Sequence, residues 1–289
     1  MFVKTIAVLV RISLVVVPVA AIAVASCGGG DDKTGTAGST GTAGSTGTGG
    51  TTGTGGTGTG GTSATKNCTV AAATAADANI LDFTTVTGTQ ATFGNYMPAT
   101  YGGGTFIYPD AAMKADLMGL SNTFDSMSWH ITGLVKEYAG FGLYLTSPSD
   151  VSMFGGIQFD IKGTLTPTGA GDGGTVPAQA TMTVTDKPHE VDSAHTNDGR
   201  MTCGMCTPVT EYDGTCAVPT KVIPLTGTTV TQMVRWTDLT GGRRPPSFTG
   251  ESPNPALITA ISWVLPWNGD GSTQYNVDIT VDNIKFIMP

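Results

Sequence analysis

The C-terminal stretch Gln274–Ile287 constrains the fold of this chain more than any other part of it. Apolar, mostly β-branched residues occupy every second position up to Val281, and this period of two predicts a half-buried β-strand. The alternation then changes phase, because the apolar Ile284 and Phe286 fall at positions that would face solvent in a regular strand. One extra residue exchanges the two faces of a strand, so we predict a β-bulge at Asp282–Asn283.

Short segments of the same kind recur from residue 79 onward, about ten in all, and turn-forming residues separate most of them. Many short strands with turn-rich connections predict an all-β sandwich or barrel, because a parallel α/β sheet would need helical crossovers that the chain lacks. Only Ala111–Leu120 indicates a helix, of one or two turns. The other predicted strands are Asn79–Phe83, Gly102–Tyr108, Trp129–Gly133, Gly140–Leu145, Ile157–Ile161, Ala180–Val184, Lys221–Leu225, Gln232–Trp236 and Ile258–Leu265.

The charge of the chain excludes one class of partner. The formal net charge is -8, and only 12% of the residues are charged. Proteins that bind nucleic acids neutralise phosphates with clustered Lys and Arg, and the sequence contains no such basic patch. We therefore expect no nucleic-acid partner.

Residues 1–26 predict an export signal. Lys4 and Arg11 precede the apolar run Ile12–Ala25, which is short for a membrane span. Cys27 follows Val-Ala-Ser directly, a pattern that resembles the bacterial lipobox and implies that Cys27 becomes a lipidated N-terminus. The alternatives are an ordinary signal peptide with a stray cysteine, or an uncleaved anchor. Gly28 in place of an aspartate favours the outer membrane or cell surface as the location.

Residues 27–66 predict a tether. After Cys27 the tract is nearly all Gly, Thr and Ser, and it shows no apolar periodicity from which a core is built, so we expect disorder. A Gly-rich coil of this length has a root-mean-square reach of roughly 35 Å. It would hold a single domain, residues 67–289, away from the membrane and leave it free to reorient.

Two groups of motifs carry a family resemblance. Phe141–Leu145 followed by Asp150–Gly163 contains an aromatic-x-Gly-Ile-x-Phe-x-Ile-Lys-Gly strand, and Trp236–Leu239, Ile258–Trp263 and Val277–Phe286 follow in the second half. Residues 78–287 thus resemble galactose-binding-like jelly-roll domains, in particular carbohydrate-binding modules of family 11, family 4 and the CIA30-like type. The resemblance implies a jelly-roll β-sandwich that binds a polysaccharide without catalysis at the cell envelope. The alternative is a structural or adhesion domain that binds a protein, or an accessory subunit of an envelope complex.

The resemblance also implies a structural calcium ion that ties the first strand to the last. Calcium is a hard cation, and its ligands are carboxylate and backbone oxygens. The matching positions in this sequence are Asp82 and Asp282. The alternative is that both are solvated acids at strand ends.

Sugar binding in such modules implies exposed aromatic rings, which offer a large apolar face. Tyr144 is the first candidate, because it alternates with Phe141, Leu143 and Leu145 and should therefore point away from the core. The further candidates are Tyr138 and Trp267, the latter beside a Gly-rich loop. The remaining tryptophans are expected in the core, namely Trp129, Trp236 and Trp263.

Four cysteines of an exported domain predict two disulfides, and the sequence leaves all three pairings open. His189 and His195 lie nearby, so a zinc site is the alternative, although the spacing matches no established zinc motif. The cysteines are Cys68, Cys203, Cys206 and Cys216.

The sequence contains no catalytic motif. A glycosidase needs two facing carboxylates, and no motif pairs the four Glu residues of the domain. A Gly-x-Ser-x-Gly elbow, a His-Glu-x-x-His helix and a P-loop are all missing from the sequence. We therefore predict a protein without enzymatic activity. A degenerate hydrolase would require two acids or a triad that converge in a pocket.

Overall fold

The computed structural model describes residues 67–84, 86, 90–94, 101–109, 119–125, 127–136, 138–168, 175–196, 201–208, 214–267 and 274–289, the side chains of 247–249 excepted. The predicted signal peptide, the lipidated Cys27 and the tether lie outside these residues. So does the predicted helical segment Ala111–Leu120, except for its last two residues. Within the described ranges no helix is long and apolar enough to cross a membrane.

The described part of the chain is built from β-strands and short 3₁₀ turns. The strands are β1 (Ala71–Ala72), β2 (Asn79–Leu81), β3 (Thr92–Gly94), β4 (Gly102–Tyr108), β5 (Gly119–Asp125), β6 (Ser128–Val135), β7 (Gly140–Asp150), β8 (Gly156–Pro167), β9 (Gln179–Asp186), β10 (Thr220–Pro224), β11 (Val230–Arg235), β12 (Gly242–Arg244), β13 (Ser247–Glu251), β14 (Ile258–Val264) and β15 (Tyr275–Ile287).

Two sheets form a jelly-roll β-sandwich, as the sequence predicted. Sheet A has the order β10-β9-β14-β7-β4-β3, with β1 added in parallel at the end of β7. Sheet B has the order β11-β8-β15-β6-β5, with β2 paired to β15. Strands β12 and β13 form a separate hairpin. Because most neighbours in each sheet are distant in sequence, each sheet needs strands from both halves of the domain.

Strand β15 confirms the predicted bulge. Its pairing with β8 joins Asp282 to Asp160 and then Lys285 to Gln158, so that β15 contains one residue more than its partner. Asn283 takes a positive φ of 50° at this point. The extra residue restores the phase of the strand, because the apolar residues on both sides of it are buried.

The core lies between the sheets and centres on large aromatic rings. Trp129 meets Phe141 edge to face at 5.3 Å, and Phe141 stacks on Trp263 at 5.4 Å between ring centroids. Trp236 is also buried, and its indole N–H donates to the Phe154 carbonyl at 2.7 Å. The prediction that these three tryptophans belong to the core is therefore confirmed.

The sequence pattern missed several strands and misplaced several boundaries. Strands β3, β12 and β13 are short, and β5 is largely polar, so none of them shows a clear alternation. Leu120, expected at the end of a helix, is fully buried in β5, because it packs into the core from that strand. Trp236, expected at the end of a strand, begins a 3₁₀ turn instead.

The connection between β9 and β10, residues 187–219, is held by both disulfides. Cys68–Cys203 joins the start of the described chain to this insertion, and Cys206–Cys216 closes a short loop within it. Two disulfides were predicted and are confirmed, and the structure supplies their pairing. Since all four cysteines are consumed, the zinc alternative loses its sulfur ligands.

Candidate ligand-binding face

The outer faces of the two sheets differ in charge. Sheet B presents charged side chains on almost every strand, among them Asp125, His130, Lys162 and Asp278. On sheet A, the outward positions of β4, β9, β10 and β14, and of β7 as far as Thr146, hold only Gly, Ala, Val, Pro, Ser, Thr, Gln, Phe and Tyr. We call these outward positions the platform face. The described outward positions of the platform face therefore carry no charge, although the chain has a net charge of -8.

Aromatic residues and glycines pair across β4 and β7 on the platform face. A Cβ atom on any of the three glycines would lie within 2.9 Å of the opposing aromatic side chain, so each side chain lies over the glycine that it faces. All three aromatic side chains are half-buried. The pairs are Tyr144 with Gly104, Phe106 with Gly142, and Tyr108 with Gly140.

These three rings and Tyr138 form a continuous series, which we call the aromatic row. The centroid of Tyr144 lies 6.5 Å from that of Phe106, which lies 5.9 Å from that of Tyr108. Tyr138, with 58% of its surface exposed, extends the row at 5.3 Å from Tyr108. Neighbouring ring planes are inclined by 44°, 21° and 34° in the same order. The row therefore places four rings side by side along the sheet.

Hydrogen bonds fix the two ends of the aromatic row. The side-chain N–H of Gln90 donates to the Tyr144 hydroxyl at 3.2 Å and to the Thr105 carbonyl at 3.0 Å. Burial raises the pKa of the Tyr108 phenol, and its interactions with Tyr138, including a hydrogen bond, raise it further. The phenol of Tyr108 therefore stays neutral at any physiological pH.

Small and hydroxylated side chains flank the aromatic row on the platform face. Strand β14 presents Ala260, Ser262 and Val264 beside β7, and β9 follows with threonines. Ser262 and Thr183 are only 8% exposed, although both point outward. The arrangement is a low strip with hydroxyl groups next to a raised row of rings, which suits a ligand with both apolar faces and hydroxyl groups.

The structure brings together two of the three predicted ligand-binding residues. Tyr144 and Tyr138 both belong to the aromatic row. Trp267 is 67% exposed, and it follows the end of β14, where the Leu265 N–H donates to the Ala139 carbonyl. Trp267 therefore lies at the same end of sheet A as Tyr138, and no ring contact among the described residues joins it to the row.

Sequence reasoning missed Phe106 and Tyr108 as members of the aromatic row. Their signal was present, because aromatic residues alternate along Gly102–Tyr108 and glycines alternate along the start of β7. Each pattern taken alone is typical of an ordinary strand. Only the register of the two strands shows that every aromatic residue on this face stands opposite a glycine.

The predicted calcium ligands lie beside the bulge of β15. Strand β2 pairs with β15 at Leu81 and Ile284, which places Asp82 next to the bulge. Partial burial, followed by the negative charges of Asp160 and Asp82, raises the pKa of Asp282. Hydrogen bonds from Thr84 lower the pKa of Asp82. Within the described ranges no three His, Cys, Asp or Glu side chains form a group that could hold a metal ion.

A polar groove of about 420 Å³ lies on the opposite side of the molecule, on the outer face of sheet B. Asp125, His130, Lys162 and Asp278 line it, and His130 lies 2.8 Å from Asp278. Among the described residues that line it, none is Phe, Tyr or Trp. The groove therefore lacks the apolar surface that the platform face provides.

No model of a known protein family matches the chain, and no curated protein matches it either. Its structure is similar to a family 11 carbohydrate-binding module of a cellulosomal cellulase of Clostridium thermocellum, with 15% identity, 73% of this chain and 94% of that chain covered, and a TM-score of 0.37. A family 11 module from Clostridium thermocellum in complex with a β-1,3-1,4-mixed-linked tetrasaccharide is similar at 14% identity, with 73% and 95% covered and a TM-score of 0.38. An exo-β-agarase is similar at 14% identity, with 73% and 24% covered and a TM-score of 0.35. The likeness is one of fold.

Proposed function

We propose that the domain binds a glycan without catalysis through the platform face. The observation that carries the proposal is the row of four aromatic rings, three of which reach over glycines on an uncharged sheet face. Aromatic rings stack on the C–H faces of sugars, and the neighbouring hydroxyl groups of Ser262 and of the β9 threonines offer hydrogen bonds to sugar hydroxyls. The carbohydrate-binding modules of similar fold agree with this function.

The Tyr144→Ala variant is expected to bind glycans at least about tenfold more weakly, which corresponds to about 1.4 kcal/mol. The substitution removes one ring of the row and leaves Gly104 uncovered. The measurement is isothermal titration with whichever polysaccharide a broad panel identifies, using residues 67–289, with thermal unfolding to verify the fold. Thr164→Ala, an exposed position on the outer face of sheet B, is the matched control and should bind like the parent protein.

Unchanged affinity in the Tyr144→Ala variant would exclude the platform face as the glycan site. Failure of the parent protein to bind any glycan of the panel would contradict the proposed function itself. In that case the same uncharged aromatic face would indicate a protein partner instead.

We also propose that a calcium ion binds beside the bulge of β15. Asp82 and Asp282 are the carboxylate ligands, and backbone oxygens and water would complete a coordination shell of the kind that calcium takes. The support is electrostatic, because Asp282 lies near two further carboxylates that disfavour its ionised form. A bound cation would relieve this repulsion, and its role would be to hold β2 against β15.

The Asp282→Asn variant separates the two interpretations of these acids. Since the folded-state pKa of Asp282 is raised, its contribution to stability is present at acid pH and is lost as the pH rises through that raised pKa. In the presence of a chelator, Asn at this position is therefore expected to keep or raise the free energy of unfolding at neutral pH. If calcium binds, an excess of about 100 Kd adds about 2.7 kcal/mol to the parent protein and not to the variant.

The free energy of unfolding of the parent protein and of the Asp282→Asn variant is measured by chemical denaturation, once with calcium and once with chelator. Asp125→Asn, an exposed acid on the outer face of sheet B, serves as the control for the loss of one negative charge. If calcium leaves the unfolding of the parent protein unchanged, no structural calcium site exists here.

We propose that Cys27 carries a lipid and that residues 28–66 form the tether between the cell envelope and the domain. The support is the order of the sequence: a short export signal, a lipobox-like Val-Ala-Ser-Cys and a tract of Gly, Thr and Ser. After expression of the full chain in a Gram-negative host, the parent protein is expected in the membrane fraction. The Cys27→Ala variant should lose incorporation of a labelled fatty acid, and unchanged incorporation would refute lipidation at this residue.

A further inference from the structure

We propose that the platform face takes an uncharged polysaccharide whose chain runs parallel to the strands, along the β4–β7 ladder. This inference rests on the proposed function and adds the direction of the ligand and its charge class. The direction follows from the positions of the rings, and the charge class follows from the side chains around them.

The rings follow one ladder of the sheet. The members from Tyr144 to Tyr108 occupy successive outward rungs of the β4–β7 pairing, and Tyr138 lies just before β7 begins. A line through the rings therefore points along the strands. The spacings of 6.5, 5.9 and 5.3 Å are comparable to the advance of a polysaccharide per sugar unit, so successive sugars meet successive rings.

A chain that crossed the strands would find much less apolar surface. From Tyr144 it would pass over Ala260 on β14 and then Thr185 on β9, which stand in register with Tyr144. Neither position carries a ring, so such a chain would stack on a single tyrosine. The along-strand path uses four rings and places the hydroxyl groups of β14 and β9 at one edge of the sugar chain.

The platform face also selects against charged glycans. Uronic acids and sulfated sugars require Arg or Lys for charge-assisted hydrogen bonds, and amino sugars with free amines require carboxylates. Among the described residues, the platform face supplies neither kind of group. The net charge of -8 repels polyanions further. An uncharged polysaccharide whose sugars present C–H faces is the ligand class that this surface fits.

The charge class is tested with matched polymers in affinity electrophoresis: hydroxyethylcellulose against carboxymethylcellulose, agarose against carrageenan, and glycol chitin against glycol chitosan. We expect binding to a neutral member and at least tenfold weaker binding to its charged counterpart, with an affinity that does not change between low and high salt. Equal or tighter binding of a charged member would overturn the charge class and leave the proposed function intact. Binding to no polymer would contradict the proposed function instead.

The direction is tested with oligosaccharides of the polymer that binds, from two to six units, and with two variants. Tyr138→Ala removes the exposed end of the row, and Val222→Arg places a bulky side chain on β10, on a path that crosses the strands from Tyr108. For a chain along the strands, Tyr138→Ala is expected to weaken binding of the longer oligosaccharides about tenfold, and Val222→Arg to leave it unchanged. The reverse result, a change with Val222→Arg and none with Tyr138→Ala, would show that the ligand crosses the strands. Thermal unfolding of each variant verifies that it is folded.

Discussion

Replacing Cys68 and Cys203 with serine is expected to lower the free energy of unfolding by about 5 kcal/mol. Without the bond, the unfolded chain regains the conformational entropy that a closed loop of this length had removed. The two cysteines are separated by 135 residues, so their bond constrains more than half of the folded domain. Urea denaturation under non-reducing conditions measures the change. Because small globular proteins have only about 5–15 kcal/mol of stability, the variant should unfold at a much lower denaturant concentration.

The second disulfide provides the matched control. Cys206 and Cys216 are separated by 10 residues, and the same relation gives about 3 kcal/mol for their replacement with serine. The measurement therefore compares two disulfides of one protein that differ mainly in loop length. Equal losses for both pairs would contradict an origin in the unfolded state and would place the effect in local native contacts.

The Asp186→Ala variant is expected to lose about 3–5 kcal/mol, because it leaves several buried donors without the carboxylate that accepts from them. Asp186 is fully buried at the end of β9, and its Oδ1 lies 2.6 Å from Nδ1 of His189, which is itself only 3% exposed. The same carboxylate accepts the backbone N–H groups of His189 and Asn254. Removal of the carboxylate therefore breaks several hydrogen bonds at once.

A second Asp–His pair of the same geometry is more exposed and serves as the control for burial. Asp192 Oδ1 lies 2.6 Å from Nδ1 of His195, again three residues apart, but the two side chains are 22% and 37% exposed. The Asp192→Ala variant should lose less than about 1 kcal/mol, since solvent replaces the lost contact. Similar losses in the two variants, measured by urea denaturation, would show that burial does not determine the strength of the Asp186–His189 pair.

The Asp186 network extends to the β12–β13 hairpin. Nε2 of His189 lies 3.3 Å from Oε2 of Glu251, without the alignment of a hydrogen bond, and that same oxygen accepts from Arg244 at 2.8 Å. Both the insertion after β9 and the hairpin thus meet at one buried imidazole. We expect the Asp186→Ala variant to loosen this end of sheet A, and hydrogen exchange of the hairpin amides to increase with it.

Alternation along single strands was sufficient to predict the bulge and an all-β sandwich or barrel, and the family resemblance specified the jelly-roll sandwich. A buried sheet face requires apolar residues at every second position. The alternation changes phase before Ile284, and one extra residue at Asp282–Asn283 restores it. The same parity predicted that Tyr144 leaves the core. These features depend on residues that are close in sequence, so the sequence pattern predicts them without knowledge of strand pairing. The polar strand β5 has no such pattern, which explains why it was missed.

The aromatic row, the disulfide pairing and the buried Asp186–His189 pair were decided by tertiary structure alone. Phe106 becomes part of the aromatic row because β4 lies beside β7 in the register that sets its ring over Gly142. Cys203 pairs with Cys68 because the insertion folds back onto the start of the domain. Each of these contacts joins residues that are distant in sequence and become neighbours through strand register or through the folding back of the insertion. The pattern of a single strand contains no information about which strand lies beside it.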